Sequence, residues 1–312
     1  MNLELPICLL DWIDVNKIDF NILSSNGSFE AIQFLKKNPD KICWTYLSLN
    51  PNAEAIQLLK ENPDKINWFN LSSNECVEAI QLLKENPDKI SWIHLSLNMG
   101  AISLLKQNPS NINWFTVSHN TSPEAIQLLK ENPDKIVWNV LSSNMCVEAI
   151  QLLKEYPDKI VWEHLSSNSS PEAIQLLKEN PDKINWFNLS SNECVEAIQL
   201  LKENPDKINF DELSWNKCAG QLLKKNPYKI NWRNLVYNQC VELYQLLKEN
   251  PDKINWYEFS KNNYIFAYDY DKMRENCLLF KEDLMKNRFH PINLYKFSSW
   301  GFNGGIDEEN NE

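Results

Sequence analysis

The sequence predicts an all-α fold, an α-solenoid of about eleven helix-turn-helix units of ~24 residues with helical caps at both ends. Two observations carry that expectation. The phrase Asn-Pro-Asp-Lys-Ile-x-Trp recurs, with prolines at Pro39, Pro63, Pro87, Pro109, Pro133, Pro157, Pro181, Pro205, Pro227 and Pro251. The steps are 24 residues, apart from two of 22, Pro87 to Pro109 and Pro205 to Pro227. Within each period the apolar residues keep helical spacing. A chain of 312 residues would otherwise suggest about two globular domains. An array grows by units instead and has no single core to saturate.

The elements follow in order. Residues 1–14 are expected to cap the first unit, with Leu9, Leu10, Trp12 and Ile13 covering its exposed end, because terminal units of arrays are atypical. Val15-Asn16-Lys17-Ile18-Asp19-Phe20 is a degenerate first unit, with Val for Pro and Phe for Trp, and the array runs over 15–262. The stretch Pro63 to Asn86 represents the rest. Asn62-Pro63-Asp64-Lys65 reads as a turn, with a helix starting directly at Pro63 as the alternative. Asn67 then caps a short helix, Trp68 to Ser72, in which Trp68 and Leu71 share one side. A longer helix covers Val77 to Glu85, rich in strong helix formers, with Ala79, Ile80 and Leu83 as its apolar stripe. Its start slot holds Cys76, Cys146, Cys194 and Cys240, or Ser28, Asn52, Ser122 and Ser170, which reads as an N-cap. Asn86 and Pro87 end it, since proline disfavours the α conformation in the residue before it.

Two rows run through the units. The Trp slot holds Trp44, Trp68, Trp92, Trp114, Trp138, Trp162, Trp186, Trp232 and Trp256, with Phe210 once. Core packing is the expected role, and a ligand-stacking ladder is the alternative. An asparagine recurs at positions 26, 50, 74, 98, 120, 144, 168, 192, 216, 238 and 262. It ends the short helix, where Asn tolerates a left-handed backbone and its amide can satisfy open backbone groups. A ladder along the stack is the expected use, and a row of amides gripping an extended peptide is the alternative. After Asn262 the repeat breaks, so residues 263–302 are expected to form a helical cap and the acidic 303–312 to be disordered.

Composition limits function. A net charge of −11 opposes a nucleic-acid groove, which needs a basic stripe. No stretch approaches the ~18 apolar residues of a membrane span, and the start lacks a basic leader. The chain therefore reads as soluble and intracellular. The cysteine spacing lacks Cys-x-x-Cys, so free thiols in a reducing compartment are expected. The histidines are His94, His119, His164 and His290, and no metal-protease helix motif, phosphate loop or nucleophile elbow occurs. No enzyme, metal, cofactor or small-molecule substrate is expected.

Variation between units points elsewhere. The two residues after each Trp vary, as does the one before the recurring Asn, while core slots hardly change. The first and last of these lie four apart and share a face turned away from the Trp. That face carries Thr45, Leu49, Phe69, Ile93, Leu97, Phe115, His119, Phe187, Trp215, Arg233, Tyr237 and Tyr257. The candidate partner-binding residues are Phe69, Ile93, Leu97, Phe115, His119, Phe187, Trp215, Tyr237 and Tyr257. Covering a neighbouring unit's loop is their other reading. Glu54 to Ile90 is identical to Glu172 to Ile208, a mark of internal duplication. The expected function is a non-enzymatic scaffold for protein–protein interaction, with a self-associating structural component as the alternative.

The units Asn62-Pro63-Asp64-Lys65-Ile66-Asn67-Trp68 with Leu71-Ser72-Ser73-Asn74, the segment Ile265-Phe266-Ala267-Tyr268-Asp269-Tyr270, and Phe289-His290-Pro291 resemble the repeat proteins encoded in many copies by mimivirus-like giant viruses of amoebae. Abundant Lys, Asn and Ile, which have A/T-rich codons, fit such a source. The resemblance implies a viral protein in the host cytoplasm or the virion, with a host or viral protein as partner. It carries over no catalytic residues. The related copies often have Pro-Asn-Ala-Ile after the Asn, whereas here Pro51-Asn52-Ala53 stands once among Cys-Val-Glu and Ser-Pro-Glu forms.

Overall fold

Proline opens every regular unit and sets its local structure. Its fixed φ suits a first helical position, where the missing N–H has no partner to lose. The structure, a computed structural model, describes residues 13–238, 240, 243–260, 271–272, 274–275 and 277. In it Pro63–Lys65 is one turn of 3-10 helix, Trp68–Ser72 a short α-helix and Val77–Glu85 a long one. The Pro-Asp-Lys segment is thus neither a plain turn nor the start of the short helix. Extended Ile66, at φ −66° and ψ 126°, separates the two helices. Asn67 caps the second by accepting the Asn70 N–H at 3.0 Å. The degenerate first unit repeats the order with Val15–Lys17, Phe20–Ser25 and Phe29–Lys37.

The long helices begin and end as their residue types dictate. Ser28, Ser122 and Ser170 each accept the N–H three residues on at 3.2 Å. The residue before the proline that opens the next unit, an asparagine except at Tyr156, closes the other end. Asn86 donates its backbone N–H to the Leu83 carbonyl at 3.0 Å and its side-chain amide to the Leu82 carbonyl at 2.9 Å. Two carbonyls left open by the helix end are thereby satisfied.

Consecutive short helices pack on one another and consecutive long helices do the same, giving two helical layers with the core between them. Ile66, Leu71, Ala79, Ile80, Leu82 and Leu83 are buried there, and most of their counterparts in the other regular units are buried too, with Leu58 and Ile208 half-buried. The tryptophans are not part of that core. From Trp44 to Trp232 every indole in the slot is half-buried, at the rim of the short-helix layer. The expectation that they interlock at the centre is corrected: each begins its helix, one turn before the buried Leu, so only part of the ring reaches the interior. Lys65 lies over the Trp44 ring at 4.6 Å and Lys229 over Phe210 at 4.8 Å.

Two polar ladders bind unit to unit. The recurring Asn is buried from Asn50 to Asn238. Asn144 donates its amide to the Ser118 and Asn120 carbonyls, both at 3.0 Å, and accepts the Cys146 N–H at 2.9 Å. Its backbone is extended, φ −74° and ψ 124°, so the left-handed conformation expected for it is not the reason for the residue. The reason is the reach of its amide, with both hydrogens spent on the preceding unit. A parallel ladder uses the Ser of Leu-Ser. Ser142 donates to the Trp138 carbonyl at 2.8 Å and accepts the Val161 N–H of the next unit at 3.0 Å. Val236 takes the serine slot once and has no hydroxyl to offer.

The offset of the duplicated segments, 118 residues, also relates the two shortened units. Each lacks two residues at the start of its long helix, leaving Ile102–Gln107 and Gly220–Lys224 where regular units have nine residues. The chain packs as two compact bodies, 1–251 and 252–312. The second contains the helix Trp256–Phe259. Most of the expected caps (1–14 and 263–302) and all of the 303–312 tail lie outside the described residues.

Candidate partner-binding face

A short helix starting at Trp places its fourth and fifth residues inward, as Leu71 and Ser72 show, and its second and sixth outward. The outward positions are the variable ones. Phe69, Phe115 and Phe187 keep 56%, 53% and 53% of their surface in solvent, and Ile93, Leu97 and Trp215 are exposed as well. Covering a neighbour's loop does not account for rings that stay this open. His119 is exposed and Tyr237 is half-buried. In the second body Tyr257 is exposed on Trp256–Phe259.

Because short helices stack in register, rings on this face meet side chains of the adjoining unit, at its third position in His94 and at its sixth in Tyr237. The Phe69 ring lies against His94 of the next unit, centroids 3.5 Å apart. His94 is held by the Ser91 hydroxyl at 2.8 Å. Phe115 packs on His119 of its own helix at 4.9 Å. Trp215 and Tyr237 stack at 4.7 Å, their planes 12° apart, which explains the partial burial of Tyr237. The apolar stretch from Leu49 through Phe69, Ile93 and Leu97 to Phe115 is interrupted by Asn139 and Glu163 and resumes at Phe187 and Trp215. The 118-residue offset places Phe187, Trp215 and Tyr237 where the first block has Phe69, Leu97 and His119.

Other rows offer less. The Asn amides are consumed by the stack and cannot grip a peptide. Cys76, Cys146 and Cys194 donate to the carboxylates of Glu78, Glu148 and Glu196 at 2.7–2.8 Å. Burial, then that bond, pushes these thiols above their ordinary value of 9.0, away from nucleophilic use. Cys218 shares their slot, which the sequence reading missed, since the shortened unit obscures the alignment. No group of three or more His, Cys, Asp or Glu among the described residues could hold a metal, and no described helix is long and apolar enough to cross a membrane. The serine ladder also escaped sequence reasoning, although the repeated Leu-Ser pair signals it. Comparison of the chain with family models, with curated proteins and with solved structures gave no match.

Proposed function

We propose that this chain is a non-enzymatic scaffold that binds a protein through the exposed face of its short helices, as a member of the giant-virus repeat proteins it resembles, with a host protein as partner. The observation that supports this is the run of exposed Phe69, Ile93, Leu97 and Phe115 on four outward positions of neighbouring units. Aromatic side chains on a rigid scaffold are favourable anchors because little conformational freedom is lost when they are covered. The helices that present them are fixed by two hydrogen-bonded ladders, so the face is preorganised.

Affinity capture from host lysate tests the proposal, comparing the parent chain with one carrying Phe69→Ser, Phe115→Ser and Phe187→Ser. Proteins recovered by the parent and lost with the variant are the expected result. Unchanged recovery removes this face as the binding surface. Light scattering on the purified chain separates the scaffold from a self-associating structural component: a monomeric mass over a wide concentration range supports the scaffold.

A further inference from the structure

The long-helix layer carries its own pattern of charge. Each regular long helix has Glu in its first turn, Lys one residue before its end and Glu at the end, and at four junctions the lysine of this slot pairs with a carboxylate of the next unit. Lys36 meets Glu54 at 2.7 Å, Lys106 meets Glu131 at 3.1 Å, Lys154 meets Glu179 at 3.9 Å, and Lys130 meets Glu155. Lys202 should find the same partners on the helix Gly220–Lys224. Both are gone. The shortened unit lacks the residue that would be the first-turn Glu, and Lys225 stands where the terminal Glu belongs. Among the described residues neither Lys202 nor Lys225 forms an ion pair.

These two lysines instead line one notch of about 380 Å³ with Gln221 and Leu222, the Leu222 side chain forming a buried apolar floor. The first shortened unit is the control within the same chain. There the 118-residue offset puts Lys84, Ser103, Leu104 and Gln107 at the positions of Lys202, Gln221, Leu222 and Lys225, so a neutral amide stands in place of the second lysine. The second copy has two lysines where the first has a lysine and a glutamine, and where four other junctions set a lysine against a carboxylate. Two ammonium groups sharing a notch repel each other, and an anion between them removes that repulsion.

We infer that the notch between Lys202 and Lys225 binds a doubly charged oxyanion group on a peptide segment of a protein partner, either a phosphoryl group or two adjacent carboxylates. Lysines are suited to such a group as point charges. A nucleic acid is a poorer occupant, because an extended polyanion meets the repulsion of a chain with net charge −11, whereas a short segment meets only the local field. This site lies on the long-helix layer and does not depend on the aromatic face.

Fluorescence anisotropy with the full chain tests it, using one labelled peptide in three forms: with a phosphoserine, with two adjacent glutamates, and with alanines at those positions. The charged forms bind and the alanine form does not, and the tighter of the two identifies the source of charge. Lys225→Glu restores the pairing of the other units, so its melting curve should match the parent. It should weaken binding by about tenfold or more, as should Lys202→Gln, a loss of ~1.4 kcal/mol. Phe69→Ser should leave this binding unchanged. Equal binding of all three peptides, parent-like affinity in a folded Lys225→Glu chain, or tighter binding of a single-stranded oligonucleotide would overturn the inference.

Discussion

Asn74 reaches back to Asn50 across the stack, donating its amide to the Asn50 carbonyl at 2.8 Å and to the Ser48 carbonyl at 3.1 Å. Its own carbonyl oxygen accepts the Cys76 N–H at 2.9 Å. One buried side chain therefore joins two units and positions the start of a helix.

Asn74→Ala would leave two carbonyls and one N–H without these bonds in a buried site. We expect a loss of about 2–4 kcal/mol in urea unfolding, because buried groups deprived of partners retain their full desolvation cost. Asn74→Asp should cost more than Asn74→Ala, since a carboxylate would face two carbonyl oxygens. A loss within experimental error for both would remove the ladder from the account of stability.

The serine ladder is expected to matter less but measurably. Ser142→Ala removes the acceptor of the Val161 N–H and should cost about 1–2 kcal/mol, read from the same denaturation curves. Ser73→Ala, at the exposed position after the ladder serine Ser72, is the control and should change little.

The half-buried indoles can be examined in solution. Acrylamide should quench a substantial share of the tryptophan fluorescence of the folded chain, because the indole row lies at the rim of the layer. Within one unit, Leu189→Ala, at a fully buried site, should destabilise by about 2–5 kcal/mol and exceed the effect of Trp186→Ala. Emission shielded from acrylamide would place the indoles in the interior after all.

The long helices preceded by Cys76, Cys146 and Cys194, whose thiols make no capping bond to the backbone, should respond to alkali. The folded-state thiols of Cys76, Cys146 and Cys194 lie above 9.0, through burial first and then the bond to the following Glu. A raised pKa means that the folded chain holds these protons more tightly than the unfolded chain, so their contribution is intact below 9.0 and is lost as pH rises through the folded value. The urea midpoint of the parent should therefore fall more steeply above 9.0 than that of a chain with all three cysteines changed to serine. Parallel curves would contradict this. Exposed Cys218 should label with thiol reagents before those three.

What could be read from the sequence was phase. The 24-residue period and the spacing of Ala79, Ile80 and Leu83 locate both helices of the unit, and the variable positions such as Phe69 and Phe115 locate the outward face. Depth was not legible. A recurring Trp at helical spacing looks the same in sequence whether it lies at the centre or the rim, and only the helix start at Trp68 settles it. Relations between units were likewise hidden. That Asn74 spends its amide on Ser48 and Asn50, or that Lys202 and Lys225 share a notch, depends on which residues of neighbouring repeats meet.

Site-specific photo-crosslinking tests the scaffold account most directly. A photoreactive residue is placed at exposed Ser73, beside Phe69 on the short-helix face, or at exposed Gln81 on the long helix of the same unit, and the full chain is irradiated in host lysate. Discrete protein adducts from position 73 that are absent from position 81 and disappear with Phe69→Ser and Phe115→Ser are the expected result. Adducts of equal yield from both positions, or adducts from 73 that survive both substitutions, would contradict it.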